Sequence, residues 1–401
     1  MSLSQVIRYI SGKHTTINKI AFFVNEEYIF DHYRNIFFKL NKSDFEIILA
    51  DKFSGEKYQA TVNELKSNSW SIRFLNEVHH IFKYKILVTH LFLGGDTINQ
   101  GTVLSRLVNV LVPTVNKILV KFNLTKISTN RQYFQNMLGI YNVRFMYGAD
   151  VGKTKFGNYN HLFDIFFCHG PRDSAFIKST FDKTIFEMGY PKYDDFFKNK
   201  NDLELKNALM VKNCCHNDKK TILWICTVSE YFSTIETYSD SIKLLTNNYN
   251  VIVRPHPLEI DSQYSRYNKK VYDIVNSGEF ILNNDPYQNM SELYQISDYV
   301  FCDYGGSIFS ALYLDKRILL LNHKDVFMDK EVFTSTSMEI RDYLPSININ
   351  AATKIIDYLS NESFWTDHEE KRLEARRYYF GESRNSSELT AEKLLELRNN
   401  V

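Results

Sequence analysis

Two rounds of short apolar runs alternating with helical stretches constrain this chain more than any other feature. In the first half "INKIAFFV", "FEIILA", "SIRFL", "KILVTH" and "NVRFMYG" read as strands, and "DHYRNIFFKL" reads as a helix. The pattern restarts after the polar stretch "KNKNDLELKNALMVKNCCHNDKK" with "TILWICTV", "NVIVRPHP", "EFILN", "DYVFCD" and "RILLLN". Strands joined by helical segments imply parallel sheets covered on both faces. The expectation is an α/β protein of two Rossmann-like domains facing one another across a central cleft, with ligands at the carboxyl ends of the strands. Residues 1–200 form the expected first domain and 201–375 the second. A helix in 376–401, broken at Gly381 and capped near Ser386 or Ser387, is expected to cross back to the first.

The strand ends of the second half carry the most specific signals. In "SDYVFCDYGGSIFSALYL", Ser297 to Leu314, an apolar strand ends in Asp303, Tyr304, Gly305, Gly306 and Ser307 and then becomes a helix. A strand, a Gly-rich turn and a helix N-terminus gather free backbone N–H groups and the positive end of a helix dipole at one point, which suits phosphate. The strand Val251 to Val253 ends in Arg254-Pro255-His256-Pro257. Two prolines fix the backbone around His256 and forbid a helix through it. An imidazole so placed donates to a phosphate oxygen, and becomes cationic where a dianionic ligand raises its pKa.

Composition removes several function classes. The formal charge is +1, with 44% hydrophobic and 24% charged residues, so nothing draws the chain as a whole to nucleic acid and any anion site is local. Five cysteines form an odd set, with Cys168, Cys226 and Cys302 in apolar runs, which fits a reducing compartment. The pair Cys214-Cys215 has no partner pair at zinc-site spacing, and there is no Asp-x-Asp motif, so no metal site is expected. The first residues lack an apolar signal core, and no run reaches the ~18 apolar residues of a membrane span. A cytoplasmic protein is expected. Residues 101–127 combine Leu and Val with Arg106, Lys117, Lys121 and Lys126, and are expected to meet the inner face of a membrane as a peripheral contact.

Four ordered segments resemble the CDP-glycerol glycerophosphotransferases of teichoic-acid and capsule assembly. They are "MGYPKYD" (Met188 to Asp194), "TILWICTV", Arg254-Pro255-His256-Pro257 and the block around Gly305, within a resemblance that spans roughly Asn142 to Glu388. The resemblance implies the GT-B architecture, a CDP-linked donor and a glycan or lipid-linked acceptor. Carried over, it puts His256, Gly306 and Ser307 on the donor pyrophosphate, with Arg254, Asp303 and Gly305 beside them. No cofactor is implied beyond, at most, a loosely held Mg²⁺.

On the acceptor side the sequence departs from the family. The His-Gly-Thr element, whose His is the proposed base for the acceptor hydroxyl, falls at "FMYGADVGK", where Tyr147 replaces the His and Gly148 keeps the Gly. Asp150, His169 and His90 are the candidates for that role, each lying at or beyond the end of an apolar strand. Three functions stay open: polyol-phosphate transfer from a CDP-linked donor, glycosyl transfer from a nucleotide sugar such as CMP-sialic acid on the same scaffold, and a non-catalytic relative that has lost its base.

Overall fold

The apolar runs of the first half pair side by side, and the segments between them are long enough for parallel crossovers. The computed structural model describes residues 15–55, 58–78, 82–91, 138–149, 158–284, 288–326, 336–382 and 385–401. Asp150 and the segment 101–127 lie outside the described residues. The chain divides into two units, one of Met1–Tyr147, Thr154–Lys192 and Ser383–Val401, the other of Gly148–Lys153 and Tyr193–Glu382.

The first unit is built on seven strands: β1 (Thr15–Val24), β2 (Phe45–Leu49), β3 (Ile72–Phe74), β4 (Phe82–Thr89), β5 (Gly139–Phe145), β6 (Ile165–Cys168) and β7 (Thr184–Glu187). They form one sheet in the order β3-β2-β1-β4-β5-β6-β7, all pairs parallel. The order reverses between β1 and β4. On the helix Glu27–Phe37, Ile29, Phe30, Tyr33, Ile36 and Phe37 recur at helical spacing and are buried. Phe37 stacks on Phe45 at 5.1 Å and meets Phe22 edge-on at 4.9 Å. Each such side chain contributes about 1.5–3 kcal/mol by leaving water.

The helix Glu369–Phe380 stops at Gly381, whose φ of +68° suits glycine, and the helix Ser386–Asn400 follows. This last helix belongs to the first unit. Ser386 Oγ accepts from the Tyr190 N–H at 3.0 Å, and Arg398 donates to Asp44 at 2.7 Å. Leu394 is fully buried there.

The second unit holds β8 (Lys220–Ile225), β9 (Tyr249–Arg254), β10 (Ile281–Leu282), β11 (Tyr299–Cys302), β12 (Arg317–Asn322) and β13 (Ser346–Asn348). Their order is β10-β9-β8-β11-β12-β13, again parallel throughout, with the reversal between β8 and β11. This unit starts before residue 200, because Asp195 accepts from Asn289 Nδ2 and Ser291 Oγ, each at 3.1 Å, and Gln295 donates to the Asn199 carbonyl at 2.7 Å. Among the described residues no helix is long and apolar enough to cross a membrane.

Candidate functional site

In the second unit β11 is buried along its whole length and delivers Asp303 to the carboxyl edge of the sheet. One Asp303 oxygen accepts from the N–H of Thr227 at 2.9 Å and of Tyr304 at 2.7 Å. The other accepts from the Thr234 N–H at 3.0 Å and the Thr234 hydroxyl at 3.3 Å. Thr227 and Thr234 follow β8, so this carboxylate ties together the two strand ends at the reversal. Burial outweighs the backbone donors and Arg341, which act the other way, and leaves its pKa raised to about 6. Asp303 was expected on the donor phosphate. The structure instead gives its carboxylate to the backbone, with no solvent exposure, and its work is to shape the turn.

The turn itself opens at Gly305, with φ +94° and ψ −166°, a region essentially confined to glycine. A β-carbon at Gly305 would meet no atom within 4 Å. The Gly305 N–H donates to Ser337 Oγ at 3.0 Å, so the N–H groups without helical partners begin at Gly306 and Ser307, in the first turn of the helix Gly306–Tyr313. Arg341, which sequence reasoning missed, braces the turn: it donates to the Asp303 carbonyl at 2.6 Å and lies 4.2 Å over the Tyr304 ring.

His256 stands at the end of β9 on the same edge, one strand further from the turn than β8, or about 10 Å. It caps the short helix Pro257–Ile260, where its Nδ1 accepts from the Leu258 N–H at 3.3 Å. That bond leaves the ring proton on Nε2. Burial and the nearby Arg266 hold the imidazole below its ordinary pKa, so without a bound anion it is a neutral N–H donor. Arg254 donates to Asn283 Oδ1 beyond β10. Beside His256 lies a cavity of about 330 Å³ lined by Val228, Ser229, Glu259, Arg266, Tyr267 and Asn268. Glu259, also unforeseen, accepts from the Ser229 N–H with one oxygen, while the other is buried without a partner among the described residues. Burial raises its pKa.

In the first unit His90 follows β4, Tyr147 follows β5 and His169 follows β6. His169 is fully buried, with Nδ1 3.1 Å from Asp173. The Tyr147 ring lies 5.4 Å from His90 and 5.8 Å from both Tyr28 and His32. His32, on the helix Glu27–Phe37, was not anticipated. Burial first, then Lys192, His169 and His90, holds its pKa well below normal. Gly148 is buried, and Asp150 lies outside the described residues.

Residues 170–394, more than half the chain, match the model of a family described as CDP-Glycerol:Poly(glycerophosphate) glycerophosphotransferase. The chain belongs to this family. Arg254, His256, Asp303, Gly305, Gly306 and Ser307 lie inside the matched stretch of this family member, whereas His90, Tyr147, Asp150 and His169 precede it. Two curated relatives are both called teichoic acid poly(glycerol phosphate) polymerase. The one from Bacillus spizizenii is 26% identical over 225 residues, 54% of this chain and 54% of the relative. The one from Bacillus subtilis is 28% identical over 148 residues, 35% of this chain and 18% of the relative. The chain thus spans about half or less of the curated relatives it matches.

Solved structures share the architecture. The wall teichoic acid polymerase TagF aligns with a TM-score of 0.63 at 14% identity, covering 99% of this chain and 97% of that one. The UDP-GlcNAc 2-epimerase of Neisseria meningitidis aligns at 0.54 and 12%, covering 94% and 100%. At these identities the likeness shows the fold, which is the GT-B type.

Proposed function

We propose that this chain transfers glycerophosphate from CDP-glycerol to the hydroxyl end of a teichoic-acid-like poly(glycerol phosphate) acceptor. The observation that carries the reading is the turn at Gly305, opened by a glycine-only backbone, locked from beneath by Asp303 and followed by a helix N-terminus, within the stretch that matches the family. The first-turn N–H groups at Gly306 and Ser307 and the helix dipole suit the donor diphosphate. His256 adds a neutral Nε2–H on the same sheet edge. The cavity beside it is of a size for the nucleoside.

In the reaction the acceptor hydroxyl oxygen bonds to the phosphorus that carries glycerol, the bond from that phosphorus to the CMP oxygen breaks, and the hydroxyl's proton passes to water. Negative charge gathers on departing CMP. Fixed N–H donors aimed at that charge lower the barrier because they need no rearrangement as it forms. Each such donor is typically worth about 2.7–4 kcal/mol.

A donor labelled at the phosphate next to glycerol tests the reading. Label is expected in the acceptor, with unlabelled CMP released. Label left on the nucleotide would mean that a group without phosphate is transferred, as in the glycosyl-transfer alternative. CDP-glycerol bound but never consumed with any glycerol phosphate acceptor would mean a binding protein.

A further inference from the structure

In the second sheet β12 lies next to β11, and the residue that follows β12 is His323. Its backbone N–H donates to the Tyr304 hydroxyl at 3.1 Å, so the end of β12 is fastened to the glycine turn from one strand, or about 5 Å, away. His256 stands two strands from β11 on the other side. The two histidines share one device. The Asp325 N–H donates to His323 Nδ1 at 3.2 Å, just as the Leu258 N–H donates to His256 Nδ1 at 3.3 Å. In each ring one nitrogen is taken by the backbone two residues further on, and the proton is left on Nε2.

The His323 ring is held in place. Phe232 lies against it at 5.4 Å and against Tyr304 at 6.3 Å, and Phe232 itself has φ +68°, a left-handed backbone that a bulky residue adopts only under constraint. Strain of this kind gathers at ligand sites and persists where neighbouring contacts impose it. Here the imposing contact is Asp303, whose carboxylate fixes Thr234 two residues on. Burial first, with Lys324, keeps the His323 pKa below its ordinary value against the pull of Asp325 and Glu236. Both Glu236 oxygens are engaged elsewhere, by Asn268 and Lys270. His323 Nε2 has no hydrogen-bond partner among the described residues, and the side chain is 18% exposed, so a ligand can reach it.

We propose that His323 is a further catalytic residue, whose Nε2–H donates to the diphosphate of the CDP-linked donor beside the N–H groups of Gly306 and Ser307. The proposal rests on the glycerophosphate-transfer reading. Backbone N–H and Nε2–H groups only donate, which suits the oxygens of a diphosphate. As the bond from phosphorus to the CMP oxygen breaks, charge moves onto the CMP phosphate, and a fixed N–H one strand from the turn takes a share of it without rearranging. His256 and His323 then hold the diphosphate from the two sides of the turn. Neither transfers a proton, because CMP leaves as its anion.

The test uses the full chain with CDP as the probe. Calorimetry is expected to give His323→Ala a Kd for CDP at least about tenfold above wild type, and His323→Gln one within about threefold, because the glutamine amide brings an N–H to the place of Nε2. With CDP-glycerol, His323→Ala is expected to lower kcat/KM at least about a hundredfold. Wild-type affinity in His323→Ala would overturn the proposal, as would equal losses in the two variants, which would mean that the ring only packs against Phe232. Ring ¹H–¹⁵N spectra read the wild type directly. The His323 Nε2–H signal, assigned by its loss in His323→Gln, is expected to shift saturably with CDP and to stay still with cytidine. Turnover of CDP-glycerol by a wild type whose signal CDP leaves unmoved would refute the role of His323 alone, whereas a wild type that binds no CDP would refute the transferase reading with it.

Discussion

His256 works by where its proton sits. The Leu258 N–H points at Nδ1, so protonating that atom would break the cap of the helix Pro257–Ile260 and set two hydrogens against each other. Burial and Arg266 oppose the cation as well. In the free protein above about pH 7 the ring is therefore neutral, and a bound diphosphate finds an Nε2–H donor without recruiting a proton. Calorimetry of CDP-glycerol binding in two buffers of different ionisation enthalpy is expected to give the same apparent enthalpy, with affinity flat from about pH 7 to about pH 8.5. Uptake of one proton on binding would mean that the ligand makes the cation and that the cap gives way.

At the scale of elements, the turn after β11 depends on one backbone conformation. Gly305→Ala places a β-carbon where φ is +94° and ψ is −166°, at a cost of about 1–3 kcal/mol, although nothing within 4 Å obstructs it. The expected result is a lower melting temperature together with a raised KM for CDP-glycerol, because the new methyl group also stands in the open space over the turn. Both values unchanged would show that the conformation matters neither to the fold nor to the donor.

The same elements show what the sequence could carry. Strands such as β2 and β11 are buried throughout and read as unbroken apolar runs, and the glycine pair and the Pro-His-Pro punctuation mark the strand ends. The edge strands β7 and β13 are short and partly exposed, so "TIFE" and "SIN" carry no pattern. Arg341, Glu259 and His32 escaped notice because their importance comes from partners distant in the chain. The backbone contacts of Asp303 were hidden for a related reason. A carboxylate after a strand reads the same whether it faces a ligand or the N–H groups of another loop, and only the fold brings Thr227 and Thr234 to it.

In the whole molecule two aromatic cores serve different ends, and their responses to acid and to nucleotide are expected to separate. The proposed donor-side groups belong to the second unit, so CDP is expected to stabilise that unit, by about 2.7 kcal/mol at a hundredfold excess over Kd. The first unit contains His32 and His90, both held neutral by burial. Unfolded histidine titrates near pH 6.5. Below that value the unfolded chain binds protons that the folded unit refuses, so stability falls as pH drops, and goes on falling until the folded pKa is reached, about 3 for His90. Calorimetric melts should therefore show a transition that CDP leaves in place and that moves to lower temperature between about pH 7.5 and about pH 5. His90→Gln removes one of the two imidazoles, and its CDP-insensitive transition should move less over the same range. An equal shift in wild type and variant would show that His90 takes up its proton without cost to the fold, and hence that its surroundings are wetter than its full burial implies.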